Sequence, residues 1–177
     1  MRKFLILTAT TAALAAAPAF AQDVTGTVNV TGEVAPRCQF TVDSVVLPLG
    51  ELALSSNGEL DTAKVDDETA NLAGWCNGSS AQIKVEAFPL VGPSFTGDTA
   101  AFTNTVNYTA TATANSVSPT DTTTTPGAGT PLSVGIFSGQ IQVKLSGSNA
   151  ASKKLVAGDY TGSVVVTLTP NVVPVES

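Results

Sequence analysis

Cys38 and Cys76 are the two cysteines of this 177-residue chain, and a thiol pair has three common uses: a disulfide, a metal site or a redox couple. Their spacing is not C-x-x-C, and the chain has no histidine to complete a metal site or shuttle protons. The same lack removes Ser-His-Asp and Cys-His catalysis. Carboxylates remain, and their one cluster, Asp66-Asp67-Glu68, lies in a polar stretch. It reads as a solvated charge run rather than an acid/base pair or a calcium site. Trp75, next to Cys76, reads as core packing on the disulfide rather than as a sugar-stacking platform. The sequons Asn29-Val30-Thr31, Asn77-Gly78-Ser79 and Asn107-Tyr108-Thr109 arise by chance in a chain so rich in Thr and Ser. No catalytic, cofactor-binding or metal-ligating residue is assigned, and the chain reads as a non-enzyme.

The state of the cysteines depends on the compartment, which the first residues indicate. Arg2 and Lys3 form a basic end, Phe4 to Ala17 an apolar run, and Ala19-Phe20-Ala21 a small-x-small cleavage site. Residues 1–21 therefore read as a signal peptide, with the mature chain starting at Gln22, exported and without a membrane span. Thiols outside the cytoplasm are usually oxidised, so Cys38 and Cys76 are expected to form one disulfide. Closing a loop of that size stabilises a fold by about 4 kcal/mol on the chain-entropy argument. Loss of Arg2 and Lys3 takes the net charge from −6 to −8, and nothing offers a basic patch to nucleic acid. The mature length suits one domain.

The most regular segment runs from Asp23 to Val34. Its even positions are Val24, Gly26, Val28, Val30, Gly32 and Val34; its odd positions are Asp23, Thr25, Thr27, Asn29, Thr31 and Glu33. A period of two puts the valines on one face of an extended chain and the polar groups on the other. Two readings are open: a strand that leaves its own domain to pair with another subunit, or the first strand of a complete, monomeric sandwich.

Short strands separated by turn signals follow. One strand with a bend or bulge near Asp43-Ser44 is expected over Gln39–Leu49, then a polar loop over Ser55–Asp67, with a helical turn in 63–73 as the one helical signal. Leu72–Cys76 and Ala81–Phe88 read as two strands split by the turn Asn77-Gly78-Ser79, the second closed by Pro89 and Gly92-Pro93. The run through Phe102, Val106, Tyr108, Ala110 and Ala112 is a further strand. Ser116–Pro131 reads as a long mobile loop, Leu132–Phe137 and Gln140–Leu145 as a hairpin about Ser138-Gly139, Ser146–Ser152 as a loop, and Tyr160–Thr169 as the last strand. The expected class is all-β, an immunoglobulin-like β-sandwich.

The run Gly26 to Val34 followed by Cys38 resembles the N-terminal extension and first cysteine of type 1-like pilins of the chaperone–usher pathway. The Trp75-Cys76-Asn77-Gly78 context, the mature length and the Ala157-Gly158-Asp159-Tyr160 segment before a valine-rich last strand match as well. The chain also resembles the spore coat protein U-like secreted proteins, which share the domain type and cysteine placement. The pilin resemblance implies an incomplete sandwich that lacks its last strand and leaves an apolar groove. A periplasmic chaperone fills that groove first, and the extension of the next subunit then replaces it, with an outer-membrane usher as assembly partner. Residues 22–35 would be the extension, with Val24, Gly26, Val28, Val30, Gly32 and Val34 as its donor face, and 36–177 the body. Function then follows as a structural subunit of a surface fibre, built from copies of itself or related pilins and passing through the periplasm to the cell surface. The alternatives are a secreted coat U-like surface or matrix protein and a monomeric exported sandwich. A carbohydrate-binding tip subunit would need a second, lectin domain for which the chain has no room. The chain departs from the pilin pattern at its end: no aromatic follows Tyr160, and Val172 to Val175 offer themselves as a partial capping strand.

Overall fold

The computed structural model describes residues 23–171, so the expected signal peptide over 1–21 and the expected capping strand at Val172–Val175 lie outside the described residues. The chain divides into two units between Glu33 and Val34. In the first, residues 23–33 form neither strand nor helix, and Val24, Val28 and Val30 are 94%, 86% and 90% exposed.

The second unit is all-β. Its strands are β1 (Cys38–Val42), β2 (Thr69–Cys76), β3 (Gln82–Val91), β4 (Phe102–Thr103), β5 (Thr105–Thr113), β6 (Thr120–Thr122), β7 (Leu132–Ser133), β8 (Phe137–Asn149), β9 (Lys154–Leu155) and β10 (Thr161–Thr169). The principal sheet runs β1-β2-β8-β5-β3-β10, with β6 on β5 and β7 on β3; β4 and β9 form a separate parallel pair. Every neighbouring pair along that path is antiparallel. Because β5 pairs with β3 through Thr105 and Val106 but with β8 from Asn107 onward, it carries the sheet around the corner into a sandwich.

Period-two alternation decides what enters the core. Val106, Tyr108, Ala110 and Ala112 of β5 are buried between half-exposed threonines and Asn107, and all but Val106 share one core cluster with Ile83, Val85 and Ala87 of β3 and Ile141, Val143 and Leu145 of β8. Cys38 and Cys76 are directly paired across β1 and β2 and joined as the expected disulfide. Val65 closes the core from the short 3-10 turn at Thr62–Lys64, the outcome of the helical signal in 63–73; from Thr69 onward that stretch is strand.

Several boundaries differ from those expected. The strand expected to reach Leu49 stops at Val42, after a register shift between Phe40 and Val42. Pro89 lies inside β3, where the register with β10 shifts between Thr161 and Ser163; a bulge is the position in a sheet interior that tolerates the missing N–H. β2 and β3 lie on either side of Asn77-Gly78-Ser79 as expected but do not pair with each other: β2 pairs with β1 and β8, and β3 with β10, β5 and β7. The hairpin about Ser138-Gly139 is one long strand, β8, which also takes in the first part of the loop expected at 146–152. Phe102 belongs to β4 and is exposed instead of continuing the β5 core face.

Candidate functional site

The sheet path ends at β1 and β10, and among the described residues each of these has a partner on one side only. The two ends converge at one pole. There Gly74 of β2 lets them approach, since a Cβ on it would lie 2.8 Å from the Gln39 carbonyl oxygen and 3.4 Å from Cδ1 of Leu168. At the other pole they separate. Residues 43–50 follow β1 without joining any ladder, because Pro48 has no N–H to give and Gly50 turns the chain with a φ of +72°.

Between this unpaired segment and the start of β10 lies an open groove of about 840 Å³. One wall is Val45–Ala53 and the other runs from Leu155 to Val164. The floor is apolar: Ala70 and Leu72 of β2, Val143 and Leu145 of β8, Leu90 of β3 and the ring of Tyr108. The floor residues are buried or half-buried, whereas Val46 on the rim is 85% exposed. Main-chain donors and acceptors on the outer edge of β10 have no strand partner among the described residues.

Two tyrosines brace the groove. The Tyr108 hydroxyl reaches from the floor to the Phe88 carbonyl of β3 at 2.6 Å and the Ser163 carbonyl of β10 at 3.1 Å. Burial pushes its pKa up to about 12, so it stays a neutral donor at any physiological pH. Tyr160, on the wall, has its pKa raised by burial as well, and its hydroxyl donates to the Val156 carbonyl at 2.9 Å. Its ring lies where a side chain on Gly92 would sit, with Cζ 2.7 Å from an ideal Cβ, so only glycine fits there.

Where the body begins, Asn77 holds the chain that leads into it. Its side-chain oxygen accepts from the Arg37 N–H, its Nδ2 donates to the Ala35 carbonyl at 3.1 Å, and its own N–H donates to the Arg37 carbonyl at 3.0 Å. The β1–β2 pairing thus continues one residue beyond Cys38 and Cys76, with a side-chain oxygen in place of a backbone one.

Asp66 accepts the Ser148 N–H at 2.8 Å and so ties a loop to β8, whereas Asp67, in a surface ion pair with Lys144 at 2.6 Å, and Glu68 are exposed, as a solvated charge run should be. Among the described residues no group of three or more His, Cys, Asp and Glu is placed to hold a metal ion, and no helix is long and apolar enough to cross a membrane. Trp75 does not pack in the core: it is half-buried on the face opposite Cys76, in a shallow hollow with Pro36, Arg37, Gln39 and Pro170. The expected mobile loop over 116–131 is tied down at several points. Pro119 is fully buried, β6 pairs with β5, and the buried carboxylate of Asp121 accepts the Ala87 N–H at 2.8 Å. Asp121 escaped the sequence reading because a single acid in a Thr-, Pro- and Gly-rich run carries no periodic signal; its value as an acceptor exists only beside β3. Compared with known proteins, the chain matches no family model and no curated protein.

Proposed function

We propose that this chain is a structural subunit of a surface fibre that assembles by strand addition, with the segment 23–34 of one copy filling the groove of the next. The observation that supports it most is the apolar groove lying between the segment after β1 and the start of β10, whose outer edge has no strand partner among the described residues. A small ligand could fill such a volume. It would leave the main-chain edge of β10 without hydrogen bonds, whereas an extended peptide satisfies that edge and buries alternate side chains in the floor.

The segment 23–34 has the matching pattern, four valines at every second or fourth position with glycines between them. Full burial of a valine stabilises by roughly 1.5–2 kcal/mol, so the four contribute about 6–8 kcal/mol before the ladder bonds and the association penalty are counted. Repeated head to tail, the contact is heterologous and makes an open fibre. A periplasmic chaperone, an outer-membrane usher and a destination at the cell surface belong to the same reading, through the resemblance to type 1-like pilins.

The test is sedimentation of the mature chain, of the same chain with Val30→Asp, and of a chain lacking 22–35 to which a synthetic 22–35 peptide is added. The mature chain should self-associate, and the aspartate, a charge on the donor face, should abolish association while leaving the body folded. The truncated chain should be stabilised by the peptide. A mature chain that stays monomeric, together with a truncated one indifferent to the peptide, would refute the proposal.

A further inference from the structure

An alternating segment beside an open groove raises the question of whose groove it fills, and the answer lies at residues 35–37. Asn77 holds Ala35 and Arg37 through three hydrogen bonds, next to the Cys38–Cys76 disulfide. These bonds carry the chain straight on along the line of β1, away from the groove, whose wall begins at Val45. To fill its own groove the segment would have to reverse and run back antiparallel to β1.

With Ala35 held, the earliest tight reversal uses Glu33 and Val34 as its two turn residues. Partners in that hairpin carry numbers that sum to 67, which sets Asp23 opposite Ser44 and Val24 opposite Asp43. All four valines then fall short of Val45, alongside β1, at the pole where β1 and β10 approach each other over Gly74. Freed from Asn77, the chain could reverse at Ala35 and Pro36. The sum becomes 71, and Val24 comes opposite Leu47, on the groove wall.

Resting on the proposed assembly by strand addition, we infer that Asn77 is a positioning residue that denies the segment its own groove and so commits it to a second copy of this chain. The side chain achieves this by shortening the free length, and it does not line the groove.

The experiment compares the mature chain with Asn77→Ala, Asn77→Asp and an insertion of eight Gly/Ser residues between Val34 and Ala35 that leaves Asn77 intact. Sedimentation reports assembly, and uptake of labelled 22–35 peptide by the monomer fraction separates closed monomers, which refuse it, from open ones. Wild type should assemble. Asn77→Ala should yield peptide-refusing monomers, and Asn77→Asp, which keeps the acceptor for Arg37 but loses the donor to Ala35, should yield fewer. In the insertion variant an intramolecular contact acts at an effective concentration on the order of millimolar, so closed monomers should dominate at micromolar chain. Wild-type assembly by both Asn77→Ala and the insertion variant would overturn the inference, as would monomers that take up the peptide, which a merely structural role produces. If Asn77→Ala does not fold, the insertion variant decides alone. A wild-type chain that does not assemble, with a truncated one that ignores the peptide, is the separate failure of the fibre reading.

Discussion

Replacing Tyr108 with Phe removes one oxygen from the groove floor and leaves the ring. The hydroxyl has a single proton for two carbonyls, Phe88 at 2.6 Å and Ser163 at 3.1 Å, so one hydrogen bond is lost and both acceptors keep only what solvent or the ladder supplies. One such bond contributes about 1 kcal/mol, and a buried acceptor left alone costs more, which puts the expected loss at about 1–3 kcal/mol. For a domain of this size that lowers the melting temperature by roughly 2–12 °C. The effect has a pH signature. Because the folded pKa is raised to about 12, the unfolded chain ionises first, and the stability present below about pH 10 is lost as pH rises through 12. Burial also raises Tyr160, so an alkaline decline remains in the variant, and the difference between the two curves isolates Tyr108. Thermal melts from pH 7 to 12 by circular dichroism provide the measurement. A variant as stable as wild type at pH 7, with the same decline above pH 10, would refute the assignment of this hydroxyl as the brace between β3 and β10.

Exchanging both cysteines for serine should destabilise the body by about 4 kcal/mol, since the disulfide closes a separation of 38 residues; denaturant unfolding with and without reductant checks it. Asp121→Ala should cost about 1–3 kcal/mol by stranding the buried Ala87 N–H, and Asp121→Asn, which retains an acceptor, should cost less; equal stability of the two variants in urea melts would contradict the contact.

Period-two alternation survives folding because it depends only on successive side chains pointing to opposite faces. That is why the core faces of Ile83, Val85 and Ala87, of Val106 to Ala112, and of Ile141 to Leu145 were legible before any tertiary contact was known. Strand ends were less legible, since Val42, Pro89 and Gly139 take their places from what lies beside them. Pro89 is accommodated because β3 itself bulges there, its three steps from Phe88 to Val91 lying opposite two of β10, and Gly139 continues β8 because Gly74 pairs with it across the sheet. Trp75 was misplaced for a related reason: its neighbour Cys76 faces inward, so on a strand Trp75 faces out.

The sequence by itself determined an all-β chain, the disulfide between Cys38 and Cys76, and the alternation of apolar or glycine with polar residues over 23–34, because each depends on residue type and local spacing. The tertiary structure alone decided where the sheet stays open, which side chains floor the groove, that Asp121 is an internal acceptor, and that Asn77 reaches Ala35 and Arg37. Those features join residues tens of positions apart, and no local pattern encodes which strand edge is left without a partner.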